Sequence, residues 1–520
     1  MARARTVLAV LMLAGASQPA NAAITISTGA TQNVTCSAGI CAPTASRAVL
    51  NAGDLENLLA SGSVEVTTTG TLAEAEDLNV KAAIAWPDAS SLTLVARGSI
   101  SIDGPVTVEG SGGLALDYGA KGTLDFGGTG SVTFAGLSSG LAVNGTVYTL
   151  VNSISSLASA IAGSPSGAFA LANDYDASQD GTYPGAPVQT VFAGSFEGLG
   201  HRISNLTIDD QNVDAVGLFV ELDNATLRDV ALVDANMTAE GGGDLGAVAA
   251  DACGGSLINV QSVHGTLYGG EGEAGGSIVG GLLAGLGDDY ACHGGTILRS
   301  SASGSVVDAG PEGSAGGLVG EIDAGTIGFS HSSASVSAPY GGAGGLVGVM
   351  YSFTGTSGID QSFATGRVSA DGGGRAGGIV GDNTATIENC YATGAVSVAS
   401  GGDAGGLAGT SEHAYNAAPA ITTSWSMGRV KRVSGAVRGG FIGGDYDPGD
   451  LTDDYWDLDT SGVGKKSEGA GSPKNDTGIA GLTTRQLQSG LPPGFDPKIW
   501  AEDPNINSGL PYLVANPPPK

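Results

Sequence analysis

The sequence predicts an all-β solenoid, and three observations carry that expectation. The stretch Gly344-Gly345-Leu346-Val347-Gly348 returns as Gly316-Gly317-Leu318-Val319-Gly320, Gly377-Gly378-Ile379-Val380-Gly381, Gly405-Gly406-Leu407-Ala408-Gly409 and Gly439-Gly440-Phe441-Ile442-Gly443. From the second glycine the steps are 28, 33, 28 and 34 residues. Gly275-Gly276-Ser277-Ile278-Val279-Gly280 and Gly217-Leu218-Phe219 read as earlier, looser versions. A second motif follows at about half a period: Ser300-Ser301-Ala302-Ser303-Gly304-Ser305-Val306, then Ser332 to Val336, Ser362 to Val368, Cys390 to Val396 and Ser424 to Val430. Two short β-type segments in fixed order, repeated with small length changes, mark a stacked array. Finally, 41% of the residues are hydrophobic but only 5% aromatic. The core must then come from Val, Ile, Leu and Ala, which suit thin β layers.

Composition narrows the function classes. Gly is 89 of 520 residues without a Gly-X-Y period, which excludes collagen. A formal net charge of −30 repels nucleic acid phosphates and anionic lipid, and favours cations and solubility. No nucleic acid partner is expected.

In chain order, Arg3 and Arg5 precede an apolar run from Val7 to Gly15 and the small-x-small site Ala20-Asn21-Ala22. Residues 1–22 read as an export signal cleaved near Ala22, and its apolar run is too short to span a bilayer. No membrane span is expected later in the chain. Export permits disulfides: Cys36 and Cys41 can close a small loop, and Cys253 and Cys292 hold nearly equivalent places in successive repeats. Stacked parallel strands lie ~4.8 Å apart, within disulfide range, so a rung-to-rung bridge is expected. Cys390 stands where neighbouring repeats carry Ser and is read as a free, structural small residue.

From Ala23 to about Ser153 the chain alternates in short β segments, among them Ser63 to Thr67, Leu92 to Val95, Ser99 to Ile102, Val106 to Val108, Leu114 to Leu116 and Ser131 to Phe134. Asp54, Leu55, Leu58 and Leu59 predict a short helical turn; Ile154, Leu157, Ala158 and Ile161 predict a brief helix between two zones. Leu218, Leu318, Leu346, Ile379, Leu407 and Phe441 should stack as one interior column. The flanking glycines are expected to allow tight corners at positive φ and to avoid the rung above.

The segments Val80 to Trp86, Leu92 to Ala96 and Gly98 to Ile102 resemble the shaft of filamentous haemagglutinin-like bacterial surface proteins. The run Phe192-Ala193-Gly194-Ser195-Phe196-Glu197-Gly198-Leu199-Gly200-His201-Arg202-Ile203-Ser204-Asn205-Leu206-Thr207-Ile208, followed by the Gly-Gly-Leu-Val-Gly array, resembles proteins carrying the GLUG motif. Asp453 to Gly462 and Gly481 to Leu487 resemble their closing segments. The resemblance implies a right-handed parallel β-helix with short helical insertions and an irregular C-terminal cap, exported and adhesive. The expected divisions are 1–22 signal, 23–165 haemagglutinin-like region, 166–445 GLUG-type repeats and 446–520 cap and tail. The Asn-Pro-Asn-Gly-type motif of two-partner secretion is absent. A secreted or cell-surface location is expected, with the periplasm open.

Catalytic chemistry finds little purchase. Gly287-Asp288-Asp289 matches one polygalacturonase-like motif, but Gly200-His201 lacks a final glycine and no Arg-Ile-Lys occurs. A lyase reading needs stacked carboxylates, and no aligned Asp column is read from the repeats; Arg367 and Arg429 are assigned to an outer face. His201, His264, His293, His331 and His413 share no metal-ligand spacing and read as surface or capping residues. Asp174, Asp176 and Asp180 in one loop, and Asp445, Asp447, Asp450, Asp453 and Asp454 in another, leave Ca²⁺ as a weak option but fit ordinary polar turns. No catalytic, cofactor or metal residue is assigned, and the chain is not expected to be an enzyme. The expected role is adhesion to a host or environmental glycan or surface protein. A polysaccharide-cleaving β-helix enzyme is the alternative, then a passive envelope spacer. Self-association through exposed edges stays open.

Overall fold

A computed structural model describes residues 23–519, apart from 71–72, 213–214, 271–276, 288–291, 293, 353–356, 400, 414–418, 432–433 and 447–450. The export signal expected at 1–22 lies outside the described residues, as do Asp288, Asp289, His293, Asp447 and Asp450. The chain is a parallel β-helix, as expected. Its strands stack in long parallel ladders, with one buried core running from Ile24 to Leu150 and taking in Ala170, Ala172 and Leu199, and a second spanning Val151 to Ile479.

In the first zone, like residues stack because each rung repeats the same in–out alternation. Ile24, Leu78, Ile100 and Leu124 form one inward column. Trp86, Val108 and Phe134 form a second, and Leu92, Leu114 and Leu141 a third. Helix α1 (Ala52–Leu59) starts with the Asn51 side chain accepting from Asp54 N–H and buries Leu55 and Leu59. Its Glu56 carboxylate accepts the Ala85 N–H at 3.0 Å, satisfying a donor in the strand Ile84–Trp86. Helix α2 (Ile154–Gly163) begins with a capping box between Ser153 and Ser156 and turns Ile154, Leu157 and Ile161 inward. Both predicted helices are present.

The second zone has three parallel faces. One carries the strands after each repeated Leu, from Phe219–Asp223 through Val319–Ile322, Val347–Met350 and Val380–Asn383 to Ala470–Ser472. The predicted interior column forms. Leu318 N–H donates to Leu346, Leu346 to Ile379, Ile379 to Leu407 and Leu407 to Phe441, at 2.7–2.9 Å. Val248 and Leu282 also belong to it, through Val248 N–H to the Leu282 carbonyl and Leu282 N–H to Leu318. The repeat read as Gly275 to Gly280 is therefore out of register. Gly280 pairs with Gly316 and Leu283 with Val319, so Gly280-Gly281-Leu282-Leu283 is the true copy.

Positive φ is not what the paired glycines supply. Gly316, Gly317, Gly344, Gly345, Gly377, Gly378, Gly405 and Gly406 all lack it. They are glycine because backbone passes too close for a Cβ: for the first of each pair the carbonyl three residues on, with the next rung's amide close behind, and for the second the next rung's carbonyl. The left-handed corner falls instead on Asp229, Asn259, Arg299, Phe329, Gln361, Asn389, Thr423 and Asp453, with φ between 46° and 56°. Such a corner strains Arg, Phe, Gln and Thr by about 1 kcal/mol each. The rungs hold it by hydrogen bonds such as Phe329 N–H to the Asp360 carbonyl.

Directly after that corner a hydroxyl ladder runs up the interior. Val260 N–H donates to Ser300 Oγ, Ser300 to Ser330, Ser330 to Ser362, Cys390 to Ser424 and Ser424 to Asp454 Oδ1, at 3.0–3.1 Å. Cys390 replaces one serine and is free and buried, in line with the sequence reading. Burial pushes its thiol well up, and Sγ reaches the Glu388 carbonyl at 3.1 Å.

Both predicted bridges form, Cys36–Cys41 with Cα atoms 4.0 Å apart and Cys253–Cys292 with 5.0 Å. The second spans a sequence separation of 39 and ties one rung to the next. Chain-entropy reasoning values such a loop at roughly 4 kcal/mol. Reduction, or Cys253→Ser, should lower the midpoint of thermal unfolding followed by circular dichroism. Cys390→Ser should leave it nearly unchanged.

The C-terminal segment is placed differently from the expected end cap. Rungs continue to Ile479–Leu482, which pairs with Asp454–Asp457. The chain then runs back along the outside. On the second motif, His331, Phe363, Tyr391 and Trp425 stack outward at 4.8, 4.8 and 5.2 Å with planes within 7° of parallel. Leu487, Phe495, Trp500, Leu510 and Leu513 cover that column. Asn516 Nδ2 donates to the Ser330 and Gln361 carbonyls at 3.1 Å. The aromatic richness of this segment serves a lateral strap, because a stacked aromatic column on the outside needs cover.

Candidate functional site

The repeat zone sets an interrupted line of carboxylates on the ladder that follows the repeated Leu, with Glu221, Asp251 and Glu321 half-buried and Asp382 buried. The register places Glu221, Asp251, Gly285, Glu321, Val349, Asp382, Thr410 and Gly444 in one line. The expectation that the repeats carry no aligned Asp column is not overturned, because no two Asp stand on adjacent rungs of this line; the register adds a mixed line of Asp and Glu. The line is interrupted, and the misplaced rung at Gly280 to Leu283, the third of this ladder, hid it. Each member lies three residues after a column Leu or its equivalent.

Two residues further on, a second line holds Asp323, Tyr351, Thr384, Glu412 and Tyr446. Successive N–H groups here donate to the rung below, Tyr351 to Ile322, Thr384 to Met350, Glu412 to Asn383 and Tyr446 to Ser411. Tyr351 and Tyr446 are thus three rungs apart, ~14 Å at the usual strand spacing. The adjoining ladder adds Arg375 and Asp403, which pair in register.

Asp382 is the hub. Arg375 forms an ion pair with it, and Thr410 Oγ1 donates to its Oδ1 at 2.6 Å. Tyr446, 54% exposed, donates its hydroxyl to Asp403 at 3.4 Å. Burial pushes the Asp403 carboxyl up, against the pull of Arg375 and Tyr446. The Tyr351 phenol is pushed up to about 12 by burial and then by Glu321, Asp382 and Asp323, with Arg375 opposing. Tyr351 therefore stays a neutral hydrogen-bonding group throughout the physiological range. The face offers carboxylate acceptors flanked by aromatic rings. Its Arg375 is engaged with Asp382.

The residues singled out from sequence do not converge. Asp174 binds His201 and Arg202, Asp176 accepts from Ser178 and Asn205, and Asp180 accepts from Tyr175 and Tyr183. Asp454 is buried and accepts from the Ser424 and Thr452 N–H groups. Among the described residues no group of three or more His, Cys, Asp or Glu is placed to hold a metal ion. His264 and His413 are exposed, as are Arg367 and Arg429. His201 departs from the surface reading: it is 4% exposed and bridges Asp174 at 3.0 Å and the Val132 carbonyl at 2.8 Å. Burial also lowers His331, which stacks on Phe363.

No family model matches the chain. A stretch of 80 residues, 15% of the chain, is 49% identical to halomucin of Haloquadratum walsbyi, of whose length the match covers 1%. Among solved structures, a Bacteroides ovatus protein described as an immunoglobulin A1 protease aligns over 71% of this chain and 93% of its own, at 16% identity and a TM-score of 0.39. A second, named IgA1 protease, aligns over 58% of this chain and 21% of its own, at 20% identity and a TM-score of 0.36. The likeness is one of fold. Both names are those of a proteolytic enzyme, which runs against the expectation that this chain is not an enzyme. At these identities no activity passes from them to this chain. No helix among the described residues is long and apolar enough to cross a membrane.

Proposed function

We propose that this chain is an exported β-helical surface protein of the GLUG-motif, filamentous haemagglutinin-like kind. In this reading it adheres to a host or environmental glycan, or to a surface protein, outside the cell membrane. The observation that carries the reading is the line Glu221, Asp251, Glu321 and Asp382, flanked by Tyr351 and Tyr446. Carboxylates accept hydrogen bonds from sugar hydroxyls or cationic side chains, and phenol rings supply flat apolar contact with a polar tip. Stacked rungs fix both at a regular spacing, so contacts are spread over several repeats without ordering a flexible loop. The charge of −30 and the two disulfides suit an oxidising exterior.

A glycan and surface-protein array probed with the purified chain tests this. Retention is expected, and the variant carrying Glu221→Gln, Asp251→Asn, Glu321→Gln and Asp382→Asn should lose it by about tenfold or more. Retention unaltered by the four changes, or no retention on any surface, would sink the reading.

A further inference from the structure

The two zones of the solenoid meet at a buried cluster centred on Glu197 and Arg228, which are in register on adjacent rungs. Glu197 is 1% exposed and Asp229 is 3% exposed. Glu197 Oε1 accepts from Leu199 N–H at 3.2 Å, and Asp229 Oδ1 accepts from Asn259 Nδ2 at 2.7 Å. The other oxygen of each, Glu197 Oε2 and Asp229 Oδ2, is buried without a donor. Glu197 pairs in register with Arg228, the residue before Asp229, so the two buried carboxyls belong to one cluster on adjacent rungs, and Asp229 helps raise the Glu197 carboxyl. Two acceptors cannot satisfy one another unless a proton sits between them.

The surroundings join the zones. Arg228 reaches back to the Tyr118 hydroxyl at 2.8 Å and the Leu124 carbonyl at 3.3 Å, and its Nε lies 3.7 Å from Asp229. Arg299 pairs with Asp125 of the first zone at 3.1 Å. Leu199 accepts the Val132 N–H at 3.0 Å, and His201 holds the Val132 carbonyl. Glu197 therefore sits on the segment Phe196 to His201, which carries these backbone bonds across the junction.

We propose that Glu197 and Asp229 share one proton, and that this proton latches the first solenoid zone to the second. With it in place the site holds one carboxylate, one neutral acid and the Arg228 guanidinium, and is balanced. Loss of the proton to solvent base leaves two carboxylates against one guanidinium, a net buried negative charge, and the junction opens locally. The titratable and charged groups facing the pair are Tyr118, Asp125 and Tyr148 from the first zone and Arg228 and Arg299 from the second.

The sign follows from burial. Burial raises Asp229 to about 6, with Arg228 and Asn259 opposing, and raises Glu197 well above the ordinary range, with Asp229 adding to the rise. Carboxyls raised in the folded state contribute stability that is complete below about pH 4. That stability declines as the pH rises from there through the raised folded-state range and is gone once the shared proton leaves.

Hydrogen exchange of the full chain tests the latch, read at Val132 to Phe134 and Phe196 to His201 and corrected for the intrinsic rate. Between about pH 5 and about pH 9 wild-type exchange there should rise by about tenfold, while Glu197→Gln, whose amide donates permanently, should stay slow and flat. Asp229→Asn, read the same way, serves if the first variant fails to fold. A wild-type protein with no rise, or variants that rise as it does, would overturn the proposal.

Discussion

Gly344→Val is expected to unfold the middle of the solenoid, with a loss on the order of 3–5 kcal/mol. A Cβ built on Gly344 overlaps the Val347 carbonyl oxygen and lies 2.9 Å from the Gly381 nitrogen. Both obstacles are backbone, and the second belongs to the next rung, so neither can yield without shifting a strand. Rungs depend on their neighbours, so the damage should spread to the adjacent repeats. Gly464→Ala is the matched control, because nothing lies within 4 Å of its added Cβ. Urea titration followed by circular dichroism should separate the two variants. Equal midpoints would refute the close-approach account of the paired glycines.

Trp500→Ala should release the C-terminal strap while leaving the β-helix folded. Trp500 is fully buried, stands 4.6 Å from Phe495 and 6.2 Å from Tyr391 between ring centroids, and donates its indole N–H to Asn389 at 3.3 Å. Removing a buried Trp costs about 3–5 kcal/mol, and here the loss falls on a segment held by one small cluster. Limited proteolysis should then cut near Gly490 and free the tail, with the earlier repeats still protected. Tyr391 and Trp425 would become accessible, and their fluorescence should become quenchable by iodide. A variant as resistant to protease as wild type would argue that the strap is held elsewhere.

Much of this architecture could be read from the residues, because a β-helix writes its register into the sequence. The column Leu318, Leu346, Ile379, Leu407 and Phe441 was legible from the glycines around it, and Cys253 with Cys292 from their matching places. Helix α2 was legible from the spacing of Ile154, Leu157 and Ile161. What stayed hidden depends on length changes between repeats. Placing Gly275 and Gly276 on the array shifted that rung by five residues and removed Leu282 from the column. With it went the offset that aligns Asp251 with Glu321. The left-handed corner was hidden for another reason: neighbouring rungs impose it on Arg299, Phe329 and Gln361, which carry no local preference for it. Glu197 and Arg228 are one repeat apart in a variable stretch, so nothing local links them. The strap's aromatics were visible, but sequence cannot tell an end cover from a side cover.

Carboxyl footprinting of the bound chain is the most direct test of the acidic ladder as the interaction face. With a retained glycan or surface protein in place, carbodiimide labelling should fall at Glu221, Asp251 and Glu321, while Asp54 and Asp496 stay labelled. Protection confined to other faces, or labelling unchanged on binding, would contradict the account.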